Sequence, residues 1–150
     1  MADYEPVDLS AVCNAGVEVL GDASAGPPLG RVVLRGLPFL IGSDPPVKER
    51  CFVVPGAPVS IEIGRRARRI IVVHRQLRAA ASAGHGIGTT VAEYAFHLAD
   101  AETVTVPIRE RFEIQVVPTE WGRSPFLAVT DTHDGNLPRL EGPWLSLIHI

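Results

Sequence analysis

The chain reads as an all-β protein, an antiparallel β-sandwich, on three observations. Several short runs alternate apolar and polar residues with the two-residue period of a strand that has one wet face. Thirteen prolines and fourteen glycines cut the chain into short segments, with turn signals at the spacing of a sandwich or barrel. Helix signals are sparse: "RQLRAAASA" holds good helix formers, but no capping residue of the usual type precedes it and glycines follow, so a single turn is the most it predicts.

The elements follow in order. "GRVVLRGLPFLIG" (Gly30 to Gly42) predicts a strand pair or one bent strand, with Gly36 and Pro38 marking a bulge or an edge. "ERCFVVPG" predicts a short strand ended by Pro55 and Gly56. In "VSIEI" residues Val59, Ile61 and Ile63 point one way, and Ser60 and Glu62 the other. "RRIIVVH" is apolar from Ile70 to Val73 without alternation, the pattern of a central strand covered on both faces. "VAEYAFHLAD" turns Ala92, Tyr94, Phe96 and Leu98 inward against Glu93 and His97. "TVTVPI" turns Val104, Val106 and Ile108 inward, and the residues Asp100 to Glu102 before it make a hairpin connection. "RFEIQVV" predicts a further strand with Phe112, Ile114 and Val116 inward and Glu113 and Gln115 outward.

These elements place the sandwich domain at residues 1–121. Residues 122–144 are an irregular linker or the start of a following region, rich in loop formers such as Asp131, Gly135 and Pro138. The last six residues, "LSLIHI" (145–150), match an in-frame translation of the transposon end used in preparing sequencing libraries. They are read as adapter and left out of the fold expectation, as any segment foreign to the natural chain would be; the alternative is a short apolar strand. On this reading the chain is a fragment of a longer protein.

Composition narrows the function classes. A chain of 150 residues suits one domain, and 46% apolar with 21% charged residues is globular. Fourteen basic against seventeen acidic residues give a net charge of −3, which argues against a dedicated nucleic-acid binder. "MADYEPVDLS" has no basic, then apolar, leader pattern, and no apolar run nears the ~18 residues of a membrane span. The expectation is a cytoplasmic, reducing setting, with Cys13 and Cys51 as buried thiols and a disulfide as the alternative.

Few stretches have the residue types that chemistry needs. "GHGIGTT" has the wrong glycine spacing for a dinucleotide fingerprint and leads into a strand, so no helix terminus is expected to hold a phosphate. His74, His85, His97, His133 and His149 show no local metal-ligand spacing, so no metal is expected. No G-x-S-x-G motif occurs, and neither cysteine has an evident electropositive niche. No catalytic residue is assigned. Glu93 and Glu113 are read as solvated. "GRRARR" puts four arginines in Arg65 to Arg69, a solvated turn or an anion-binding patch. Trp121 and Trp144 fall in the irregular tail, exposed or sealing the sandwich.

Four segments together carry a resemblance: Asp8-Leu9-Ser10, Gly36-Leu37-Pro38-Phe39, Val73-His74, and the run from Tyr94 to Arg109. The span of roughly residues 7–121 resembles a jelly-roll domain with a galactose-binding-like fold, of the kind found in bacterial glycoside hydrolases and in the novel putative carbohydrate-binding module group. It departs from that pattern at Asp100-Ala101, where the hairpin glycine is missing. The resemblance implies a non-catalytic accessory module of a larger carbohydrate-active protein, binding carbohydrate weakly through loops at one end. Those loops are His74 to Thr90, Ser43 to Arg50 and the segment near Trp121, and the ligand-binding candidates are His74, Arg75, His85 and Trp121. The expected partner is a carbohydrate or an adjacent catalytic domain, with no cofactor, nucleic acid or membrane. One alternative is a structural or interaction domain packing on a catalytic partner, which predicts an apolar patch around Trp121, Phe126 and Leu127. The other is a cupin-like metal enzyme, which requires His74 and His97 to converge with a carboxylate.

Overall fold

The computed structural model describes residues 3–21, 27–78, 84, 86–117, 119–130, 139–140 and 143–149, with 120, 121, 139, 140 and 149 described by their backbone. The described residues form strands and short 3-10 turns, with no α-helix among them. Every strand pair is antiparallel. The protein is all-β. It divides into two compact units, Met1–Arg65 and Arg66–Ile150. Among the described residues, no helix is long and apolar enough to cross a membrane.

The first unit is built on one hairpin. Strand β1 (Gly30–Leu34) pairs with β2 (Leu37–Ile41), so "GRVVLRGLPFLIG" is a strand pair. Its two-residue turn, Arg35-Gly36, has φ of 52° and 78°, the positive values that a tight turn matching the strand twist requires. Pro38 is tolerated because a two-stranded sheet consists of edges alone. "ERCFVVPG" yields no strand. Its Phe52 instead exchanges backbone hydrogen bonds with Ala15 at 3.1 and 2.9 Å. Asn14 locks the next residue but one, its side-chain amide giving to Val54 O at 2.8 Å and its oxygen accepting from Val54 N at 2.7 Å. Cys13 and Cys51 are buried free thiols, and burial raises the pKa of both.

The second unit holds the rest. Strand β3 (Arg69–His74), β7 (Ala128–Thr130) and β9 (Trp144–His149) form a three-stranded sheet in the order β3-β9-β7. Strand β4 (Thr90–His97) pairs with β5 (Thr103–Arg109), and β6 (Thr119–Glu120) with β8 (Arg139–Leu140). The β4–β5 hairpin alternates as its sequence predicts: Ala92, Tyr94, Phe96, Val104, Val106 and Ile108 turn inward while Glu93, His97 and Thr105 are exposed. It closes through Leu98 and Glu102, with Ala101 at φ 68° in the place a glycine would favour.

Three further expectations differ from what is observed. Val59–Ile63 forms no strand: its alternation is real, but it finds no partner strand, and Val59 and Ile61 are exposed. Ile70–Val73 is not central; β3 lies at the end of its sheet. The central place belongs to β9, whose Trp144, Leu145, Ser146 and Ile148 are buried. That strand includes residues 145–149 of the hexapeptide left out of the fold expectation. Arg111–Val117 is a turn with isolated bridges rather than a strand. Phe112 N and Glu113 N both donate to Arg109 O at 3.1 Å, and Arg111 takes φ 70°. The Glu113 carboxylate accepts from Arg109 N at 2.8 Å, a local bond that competes with extension into a strand. Gln115, expected outward, is therefore buried.

Candidate functional site

His74 stands at the end of β3, opposite Trp144 in the register with β9. The inward face of β4 brings Tyr94 to it. The Tyr94 hydroxyl lies 2.8 Å from His74 Nδ1, and the two rings stack with centroids 5.9 Å apart. On the other side, Nε2 is 2.9 Å from Glu113 O and 2.9 Å from Ser146 Oγ. Ser146 Oγ in turn donates to Glu113 O at 2.6 Å.

One proton arrangement satisfies all four groups: Tyr94 O–H gives to Nδ1, while Nε2–H and the Ser146 hydroxyl both give to Glu113 O. It requires a neutral imidazole protonated on Nε2. Burial lowers the His74 pKa and outweighs the opposing pull of the Glu113 carbonyl and charge. Burial pushes Tyr94 up to about 12. Ser146 and His74 have the spacing of a nucleophile and its base, but Ser146 is only 1% exposed and its proton is committed to a carbonyl. The cluster holds strands together as a neutral network.

The other candidates separate. Arg75 donates from Nη2 to Val117 O at 2.9 Å while its Nε is buried with no hydrogen-bond partner among the described residues, and burial lowers its pKa. His85 lies outside the described residues. Trp121 opens the 3-10 turn Trp121–Arg123, and its side chain lies outside the description. His97 meets Thr103 Oγ1 at 3.0 Å on the exposed side of its hairpin. Among the described residues, no three His, Cys, Asp or Glu side chains are grouped to hold a metal ion. Of the glycine loop, Gly84 and Gly88 take positive φ of 85° and 86°, and strand β4 follows at Thr90.

A second cluster surrounds the exposed Phe126, a residue that the interaction-domain alternative places with Leu127 in an apolar patch; the half-buried side chains that stack on it, Arg109, Arg111 and Phe112, have no sequence signal. The Arg109 guanidinium sits 4.5 Å above the Phe112 ring, Phe112 meets Phe126 edge to face at 5.3 Å, and the Arg111 guanidinium lies 5.1 Å from the Phe126 centroid. Phe126 N and Leu127 N bond to Arg111 O and Phe112 O at 2.9 and 2.8 Å, which fixes the register of this stack. Glu113, read from the sequence as solvated, is part-buried and anchors Arg109 through bonds of 3.1 and 2.5 Å. Burial alone would raise the Glu113 pKa, but the Arg109 bonds prevail and lower it.

Phe126 is 63% and Leu127 56% exposed. Val129 in β7 and Leu147 in β9 are also exposed. Val129 faces Leu145 in the register, so the pleat places Leu147 on the same side of the sheet. The signal in the sequence is "SPFLAVT", an apolar run that starts directly after a proline in a stretch read as irregular. Comparison of the chain with known protein families, curated proteins and solved structures finds no match.

Proposed function

We propose that this chain is a non-catalytic accessory module of a larger carbohydrate-active protein, a galactose-binding-like jelly-roll sandwich that works by packing against an adjacent catalytic domain. The observation that carries the reading is the exposed Phe126–Leu127 pair, flanked by Arg111. Contiguous exposed apolar surface with a polar rim is the usual mark of a contact surface. Aromatic and arginine side chains at its centre are those that most often anchor an interface. The neutral state of His74 and the burial of Ser146 accord with a scaffold role for that cluster.

A second reading, weak carbohydrate binding, is favoured by one feature: Phe126 offers a ring braced by Phe112 and a planar guanidinium beside it, the pairing that sugar rings meet on protein surfaces. One experiment separates the two. The protein is titrated with a glycan panel at millimolar concentration, and with the catalytic domain encoded next to it, while the amide signals of Phe126 to Val129 are followed by NMR. Binding to the neighbouring domain that Leu127→Asp abolishes supports packing. Saturable shifts with a sugar support the glycan reading. Silence in both titrations refutes the proposal.

A further inference from the structure

We propose that the bond between Arg66 and Ala67 is a proteolytic processing site for an endopeptidase that selects consecutive arginines. The sequence supplies the recognition chemistry: Arg65 and Arg66 stand side by side, and Ala67 is a small residue on the leaving side. Two successive guanidiniums suit an enzyme with two adjacent acidic pockets, each able to pair a planar fork through two bonds.

The structure supplies access. From Pro55 to Arg69 every residue except Ile63 is exposed. Among the described residues, no backbone–backbone hydrogen bond involves Pro55 to Arg68. Gly64 takes φ 64° with open space around it. Proteases bind their substrates as an added strand, which needs chain whose N–H and C=O groups are not already paired. This segment meets that need without local unfolding. The side-chain tie nearby is the ion pair of Arg65 with Glu5, and both side chains are largely in water, where such a pair is weak. The other paired-arginine bond, Arg69–Ile70, differs: Arg69 is already in β3, opposite His149.

Position gives the cut its consequence. The chain passes from one compact unit to the other at Arg65–Arg66, so hydrolysis there severs no strand of either. Water adds across the peptide bond and the C–N bond breaks. Arg66 keeps the new carboxylate and the Ala67 nitrogen takes the proton, becoming a new amino terminus. No redox partner is needed.

The test is limited digestion of the full chain with an endopeptidase selective for paired basic residues, and in parallel with a small amount of trypsin, with products identified by mass and amino-terminal sequencing. The expected first product of the selective enzyme begins at Ala67, and Arg65→Gln with Arg66→Gln slows its formation at least tenfold. With trypsin the first cuts fall within Arg65 to Arg68. First cleavage at Arg31, Arg35 or Arg78, all of them exposed, or an undiminished rate in the double variant, overturns the proposal. Both substitutions lie on exposed chain outside the strands, and an unchanged circular dichroism spectrum verifies that the variant is folded.

Discussion

Replacing His74 by Gln should flatten the loss of stability that acid imposes on the unit Arg66–Ile150. The native imidazole is half-buried, accepts from Tyr94 on Nδ1 and gives from Nε2 to Glu113 O. A second ring proton would point at the Tyr94 oxygen and force that hydroxyl to find another acceptor. The folded-state pKa therefore lies below the ordinary value of 6.5, with burial as the main cause. The folded state binds this proton less readily than the unfolded chain. Its contribution to stability is complete above pH 6.5 and is lost as pH falls from there towards the folded-state value. Over that window the slope approaches about 1.4 kcal/mol per pH unit. For a unit of this size, each such unit of pH lowers Tm by roughly 5–10 °C. Thermal melts followed by circular dichroism between about pH 7.5 and about pH 5 measure it. The carboxyl of Glu113 titrates below this range, its pKa being lowered from 4.5, and the remaining histidines are common to both proteins. Parallel Tm curves for the native protein and His74→Gln, or a native protein that gains stability on acidification, would refute the neutral network.

Four other substitutions test the packing. Glu113→Gln removes the carboxylate that holds Arg109 and should lower stability at neutral pH only modestly, because the pair is screened by water; because the Glu113 pKa is lowered, the deficit relative to the native protein shrinks as acid protonates the native carboxyl, which urea titrations at several pH values will report. Ser146→Ala leaves His74 both Tyr94 and Glu113 O, so it should cost no more than about 1.5 kcal/mol and preserve the pH slope of Tm. Gly42→Ala sets a Cβ 2.9 Å from Cys51 Cβ at a backbone φ of 77°, and should destabilise the unit Met1–Arg65 by at least about 2 kcal/mol, read as a lower denaturant midpoint. Ala101→Gly relieves the φ of 68° at the β4–β5 turn and should gain about 0.5–1 kcal/mol, seen as a higher Tm.

Much of the fold is legible where a strand's own neighbour lies close in sequence. The β4–β5 hairpin carries its wet faces in its alternation, and β1–β2 announces itself as a strand pair interrupted at Gly36. What is not legible depends on distant chain. Val59 to Ile63 alternates as well as β4 does, and period alone cannot report that no partner arrives. The apolar run Ile70 to Val73 announces burial, yet its place at the end of a sheet is set by Trp144 to His149. Arg111 to Val117 reads as a strand until one sees Glu113 bonding back to Arg109. For the site, His74 is recognisable as a half-buried histidine at a strand end. Its role is not, because Tyr94, Glu113 and Ser146 come to it from three other segments. Phe126 and Leu127 are legible as an apolar run after a proline, but the stack of Phe112, Arg109 and Arg111 on Phe126 is not, because it depends on the turn that Arg111 to Val117 makes in place of a strand.

The three-stranded sheet has its middle member at Trp144–His149 and its flanks at Arg69–His74 and Ala128–Thr130. During synthesis both flanks emerge before anything can lie between them. In a chain that carries residues 144–149, two β-prone, largely apolar ribbons keep open edges until that last segment arrives, the condition in which incomplete sheets pair with one another. Assembly of this sheet is therefore a late event that closes a long loop in one step, and its rate will be governed by that closure rather than by the fast local hairpins.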